Sequence, residues 1–103
     1  MPDRFGRHML AEWFLDPSVI YLNHGTVGAP PRRVLAAQQK LREESEKQPS
    51  RFLLRDLASL GVGKKPPERP LLRVAADEVA EFVGVDGKDL AFVDNATSGV
   101  NAV

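Results

Sequence analysis

Two short apolar runs set the terms for any fold of this chain. Ser18–Leu22 (SVIYL) and Leu90–Val93 (LAFV) have the apolar, β-branched and aromatic character of strands. Neither has a neighbouring run that could return as a hairpin partner, and three helical patterns separate them. Strands so spaced pair through a parallel or mixed sheet, and two are too few to build one. The expectation is an α/β chain, mostly helical with two short strands, that reads as the front of something longer. A last helix starting at Thr97 has barely one turn before Val103, and so short a helix needs a packed face to persist.

Between and around these runs the periodicity is helical. Phe5, Met9 and Trp13 recur at i, i+4 and i+8, predicting a helix over 4–14 with Asp3 as its cap and Pro17 as its stop. Glycine and proline crowd 25–31 (GTVGAPP), a shaped loop after a strand that serves as a connector or a place for ligand contacts. Pro31 suits a helix start, and 32–47 (RRVLAAQQKLREESEK) sets Val34, Leu35, Gln38 and Leu41 on one side. Ser50 can cap a second helix over 51–60, with Phe52, Leu53, Leu57 and Leu60 as its apolar face. A third covers Leu71–Val83, where Leu72, Ala75, Ala76, Val79, Phe82 and Val83 are spaced for burial and Gly84 is the stop. The organisation predicted is 1–60 (helix, strand-loop, two helices), 61–70 (GVGKKPPERP, a linker or exposed loop) and 71–103 (helix, strand, turn, helix start).

Composition excludes several function classes. Fourteen basic residues balance fourteen acidic ones in 103, so no electrostatic footprint for nucleic acid or an anionic membrane is present. Absence of cysteine removes disulfides, thiolate metal sites and thiol nucleophiles. His8 and His24 are too few and too far apart to suggest a metal site. No run reaches the roughly 20 apolar residues that span a bilayer, and the charged start is unlike a signal peptide. A cytoplasmic protein is the default expectation.

The stretch with chemical potential is FVDNATSGVN, Phe92–Asn101. A strand running through a turn into a helix can hold a phosphate on the free N–H groups of the first helical turn. Ala96 and Gly99 let the backbone come close, while Thr97 and Ser98 add hydroxyls. Ordinary capping reads the same residues differently, because Asn, Thr and Ser are also the common N-caps. Neither a Walker loop nor the Gly-x-Gly-x-x-Gly fingerprint is present.

Four stretches taken in order carry a resemblance: the N-terminal segment ending FLDP, VIYLNHGTVGAPPRRVLAAQ (19–38), QPSRFLLRDL (48–57) and VAEFVGVDGKDLAFVDNATSGVNAV (79–103). Together they resemble the N-terminal part of class V aminotransferase-fold proteins, most closely the isopenicillin N epimerase-like branch, to which Pro49-x-Arg51-Phe52 points. The resemblance covers nearly the whole chain except 61–70. It implies a pyridoxal 5'-phosphate-dependent enzyme of fold type I acting on an amino acid, as a homodimer when full length, with 71–103 opening the large domain. It assigns the cofactor phosphate to Ala96, Thr97 and Ser98, and the substrate side to Asn23, His24 and, as an alternative to a structural ion pair, Arg51. The chemistry implied is carbanion stabilisation at the substrate Cα, with the cofactor as electron sink. None of Lys40, Lys47, Lys64, Lys65 or Lys88 sits in the family's lysine context, so the chain alone is expected to be inactive. The competing expectation is a non-catalytic small helical module that binds a partner through its apolar faces.

Overall fold

The computed structural model describes residues 5–58 and 69–103, and no strand occurs among them. This corrects the expectation of an α/β chain with two short strands. The backbone divides into two compact units, Met1–Lys47 and Gln48–Val103. Among the described residues no helix is long and apolar enough to cross a membrane. The proposed segment 61–70 lies outside the described residues except for Arg69 and Pro70.

In the first unit, the apolar N-terminal pattern forms a 3-10 helix over Arg7–Glu12 rather than an α-helix. Three residues per turn no longer align i with i+4, so the expected stripe splits: Met9 and Trp13 are half-buried while Phe5 is 84% exposed. The proposed Asp3 cap lies outside the described residues. Ser18–Leu22 leaves a turn at Pro17 and Ser18 and runs on without a ladder partner. Asp16 Oδ1 accepts both the backbone N–H (2.8 Å) and the hydroxyl (2.7 Å) of Ser18, and the Asp16 carbonyl accepts from Val19. Two side-chain contacts tie this segment to the loop before α1 (Arg32–Lys47) and to the first residue of that helix. The Trp13 indole donates to the Ala29 carbonyl at 3.0 Å, and Arg32 Nε donates to the Trp13 carbonyl at 2.9 Å. The Arg32 guanidinium also lies 3.7 Å above the centre of the Phe14 ring, a cation–π contact.

The second unit starts with α2 (Pro49–Arg51), which passes into a π-helical turn over Phe52–Leu57. Pro49 disfavours helical backbone at the residue before it, and Gln48 is accordingly non-helical (φ −146°, ψ 75°). α3 spans Leu71–Val83, as its periodicity predicts. Gly84 ends it in the left-handed region (φ 79°), where the Val85 and Gly84 N–H groups return to the Ala80 and Glu81 carbonyls, a Schellman closure. A 3-10 turn over Gly87–Asp89 then packs on α3, held by Arg73. One guanidinium nitrogen donates to the Leu90 carbonyl at 3.0 Å and the other to the Gly87 carbonyl. Leu90–Val93 crosses this region without a ladder partner, leaving Phe92 and Val93 about half exposed. α4 (Ala96–Asn101) closes the described chain. Only Ala76 and Ala80 are buried among the described residues.

The Gly87 contact is testable. A methyl group there would collide with the Asp77 carboxylate and meet its Cα at 3.0 Å. Gly87→Ala should lower stability by about 1–3 kcal/mol. Gly25→Ala, with open space around it, should stay within about 0.5 kcal/mol of the parent. Helix melting followed by circular dichroism reads both, and equal melts would show that this packing does not matter.

Candidate functional site

The sequence-proposed site residues fall in both units. Ala96, Thr97 and Ser98 share the first turn of α4, after Asn95 in extended backbone (φ −161°, ψ 171°). Asn95 Oδ1 accepts the Ser98 N–H at 2.8 Å, and its carbonyl accepts from Gly99 at 3.1 Å. Asn95 is therefore a helix N-cap. The cap consumes one of the N–H groups that an anion would use; those of Ala96 and Thr97 have no intrahelical acceptor by position. Gly99 is not forced by crowding, since a Cβ there would stand 3.4 Å from Val93 Cγ2.

A residue that the sequence reading passed over governs the charge of this turn. Asp94 has its pKa lowered, chiefly by the Ser98 hydroxyl and then by its own backbone N–H, with desolvation opposing and the Asn95 N–H adding a lesser lowering. The Asn95 amide adds a contact at 3.3 Å. A carboxylate held ionised beside a helix N-terminus is favourable for the helix and unfavourable for a second anion. Its signal was present in the sequence as an acid directly before the Asn cap.

Arg51 pairs with Asp56, Nε to Oδ2 at 3.5 Å, and lines an open cleft with Gln48, Ser50, Leu54 and Arg55. Asn23 and His24 lie in the first unit. The Asn23 carbonyl accepts from Thr26 (3.3 Å) and Val27 (2.9 Å), closing the turn that carries His24. The His24 ring meets Tyr21 edge-on, centroids 4.8 Å apart, and both rings line a cleft of about 300 Å³ beside the 3-10 helix. Tyr21 and Arg7 in that cleft were not foreseen, and periodicity carries no signal for them. Among the described lysines, Lys47 is held as an ammonium: Glu44 accepts from it at 2.6 Å and raises its pKa. An ammonium is a poor nucleophile. Lys88 pairs with Asp86 at 3.2 Å, and Lys64 and Lys65 lie outside the described residues. No group of three or more His, Cys, Asp or Glu among the described residues is placed to hold a metal ion.

The cap and the carboxylate give one prediction each. Asn95→Ala should cost about 1 kcal/mol of local helix stability, roughly fivefold faster amide exchange at Ser98. Because the folded-state pKa of Asp94 is lowered, its contribution is complete above the ordinary carboxylate range and is lost as pH falls through the folded value. The Ser98 amide shift should then titrate with a midpoint below the ordinary aspartate range, and Asp94→Asn should abolish that titration.

Comparison with known proteins gives two distant relatives. The chain is 33% identical over 89 residues to isopenicillin N epimerase of Streptomyces clavuligerus, covering 86% of this chain and 20% of that protein. It is 23% identical over 99 residues to hercynylcysteine sulfoxide lyase of Schizosaccharomyces pombe, covering 96% of this chain and 22% of the other. No protein-family model and no solved structure matches. The chain thus spans about a fifth of the length of the curated relatives it matches. An epimerase and a lyase together establish at most a distant superfamily link to enzymes, and they do not single out the isopenicillin N epimerase-like branch.

Proposed function

We propose that this chain acts as a non-catalytic helical docking module in the lineage of pyridoxal-phosphate-dependent enzymes, its apolar helix faces covered by another polypeptide. The observation that carries this reading is the burial pattern of α3. Ala76 and Ala80 face the rest of the unit, whereas Leu72, Val79, Phe82 and Val83 on the adjoining stripe are exposed, Phe82 by 90%. A contiguous exposed apolar stripe of this kind marks an interaction surface.

Dye binding and sedimentation test it. The intact chain should enhance the fluorescence of a hydrophobic dye and associate as its concentration rises. The double variant Val79→Asp/Phe82→Asp should lower both several-fold while keeping its helix content, since neither side chain is buried. A chain that stays monomeric and dye-silent at high concentration would sink the reading.

A second reading is favoured by the match to isopenicillin N epimerase over 86% of the chain. Under it the chain is part of a homodimeric enzyme acting on an amino acid, with Asn23, His24 and Arg51 toward the substrate. Pyridoxal 5'-phosphate would supply an electron sink for the substrate Cα. The residues fit its phosphate in part: the Ala96 and Thr97 N–H groups and the Thr97 hydroxyl would hold it. Ser98 is engaged by Asn95 and Asp94 and would have to exchange partners. Equilibrium dialysis of pyridoxal 5'-phosphate against the chain should show about tenfold weaker retention in Thr97→Val, the loss of one charge-assisted hydrogen bond. Asp94→Asn should tighten retention by removing a like charge. Unchanged affinity in both variants would count against this reading.

A further inference from the structure

The cleft beside the 3-10 helix joins His24, which the second reading turns toward a substrate, to Arg7, Tyr21 and an apolar wall that neither reading uses. Met9, Leu10, Trp13 and Leu15 are half-buried on its wall, and Val19 and Ile20 form an exposed apolar rim. At about 300 Å³ it lies at the small end of the range for small-molecule sites. No carboxylate occurs among its described lining residues, and its ionisable groups are Arg7, Tyr21 and His24.

The hydrogen-bond capacity of those three groups is directional. Tyr21 spends its hydroxyl proton on the Val27 carbonyl. Arg7 gives one guanidinium nitrogen to the Pro17 carbonyl at 3.3 Å, and a guanidinium has five N–H donors and no acceptor. The backbone N–H of Ala29 donates to His24 Nδ1 across 3.4 Å. A backbone amide can only donate, so the neutral imidazole carries its proton on Nε2. Arg7 and His24 are then both donors at an apolar cleft, and the polar end that complements them is an acceptor bearing negative charge.

We propose that this cleft binds an apolar monocarboxylate, with its carboxylate on the Arg7 guanidinium and the His24 Nε2–H and its hydrocarbon body against Met9, Leu10 and Trp13. The site involves only the first unit, and it stands independently of the docking face on α3 and of the phosphate turn.

Trp13 is the single tryptophan of the chain, so its fluorescence reports the cleft directly. The intact chain is titrated with 3-phenylpropionate and, as an uncharged isostere, 3-phenylpropionamide. The carboxylate should give a saturable change and bind about tenfold more tightly than the amide, the scale of one charge-assisted contact. Arg7→Gln should erase that preference while amide binding persists, Arg7→Lys should keep most of it, and Arg33→Gln on α1 should leave it intact. Equal affinity for acid and amide, an unsaturable signal, or a preference that survives Arg7→Gln would overturn the proposal. If Arg7→Gln loses both ligands, Arg7→Lys decides: a retained preference supports the site and a lost one refutes it.

Discussion

The Arg73 guanidinium is the contact on which the second unit depends. It is half-buried and reaches from α3 to the Gly87 and Leu90 carbonyls, so it fixes the chain that returns after the Gly84 reversal. Hydrogen bonds to a charged donor contribute about 1.5–3 kcal/mol each, more than burial of an alanine methyl at about 0.8 kcal/mol. Its surroundings are matched to it. Gly87 lets the 3-10 turn approach Asp77, Asp77 is held by Arg69 at 2.7 Å, and Asp86 caps the turn through the Lys88 N–H at 3.0 Å. In the first unit the Trp13 indole and Arg32 play the same part, again by donating to carbonyls.

A fold held by side chains on carbonyls leaves many of its described apolar residues exposed. The same helix shows both outcomes: Arg73, Ala76, Asp77 and Ala80 turn toward the unit, and Leu72, Val79 and Phe82 turn away. A helix with apolar residues around more than half its circumference is suited to burial between two bodies, and the described residues of this unit cover one side of it. The docking reading follows from this imbalance, and it requires no chemistry from the exposed or ion-paired lysines.

What the sequence made legible was punctuation. Proline and glycine mark α1 and α3 closely: Pro31 precedes Arg32, Pro70 precedes Leu71, and Gly84 follows Val83. These residues act through their own dihedrals, so a local reading suffices. The strands were illegible for the opposite reason. SVIYL and LAFV have strand composition, but a strand exists only as a ladder, and in this structure Asp16 and Arg73 claim the backbone at or beside the two runs. The N-terminal helix failed in a third way, since an i, i+4 stripe presumes 3.6 residues per turn and Arg7–Glu12 adopts the tighter winding. At the candidate site, Asn95-Ala96-Thr97-Ser98 was visible as a helix start, and the role of Asp94 was not.

That turn also shows why one motif supports two functions. The first turn of α4 has a fixed supply of N–H groups, and Asn95 already takes that of Ser98. Asp94, kept ionised by the Ser98 hydroxyl, supplies the negative charge that the helix N-terminus attracts. The turn is thus electrostatically satisfied by its own residues. An external phosphate must add its charge beside an existing carboxylate, with the Ala96 and Thr97 donors as its inducement. The balance between those donors and that repulsion, more than the presence of a small-residue turn, separates a phosphate cup from a capped helix.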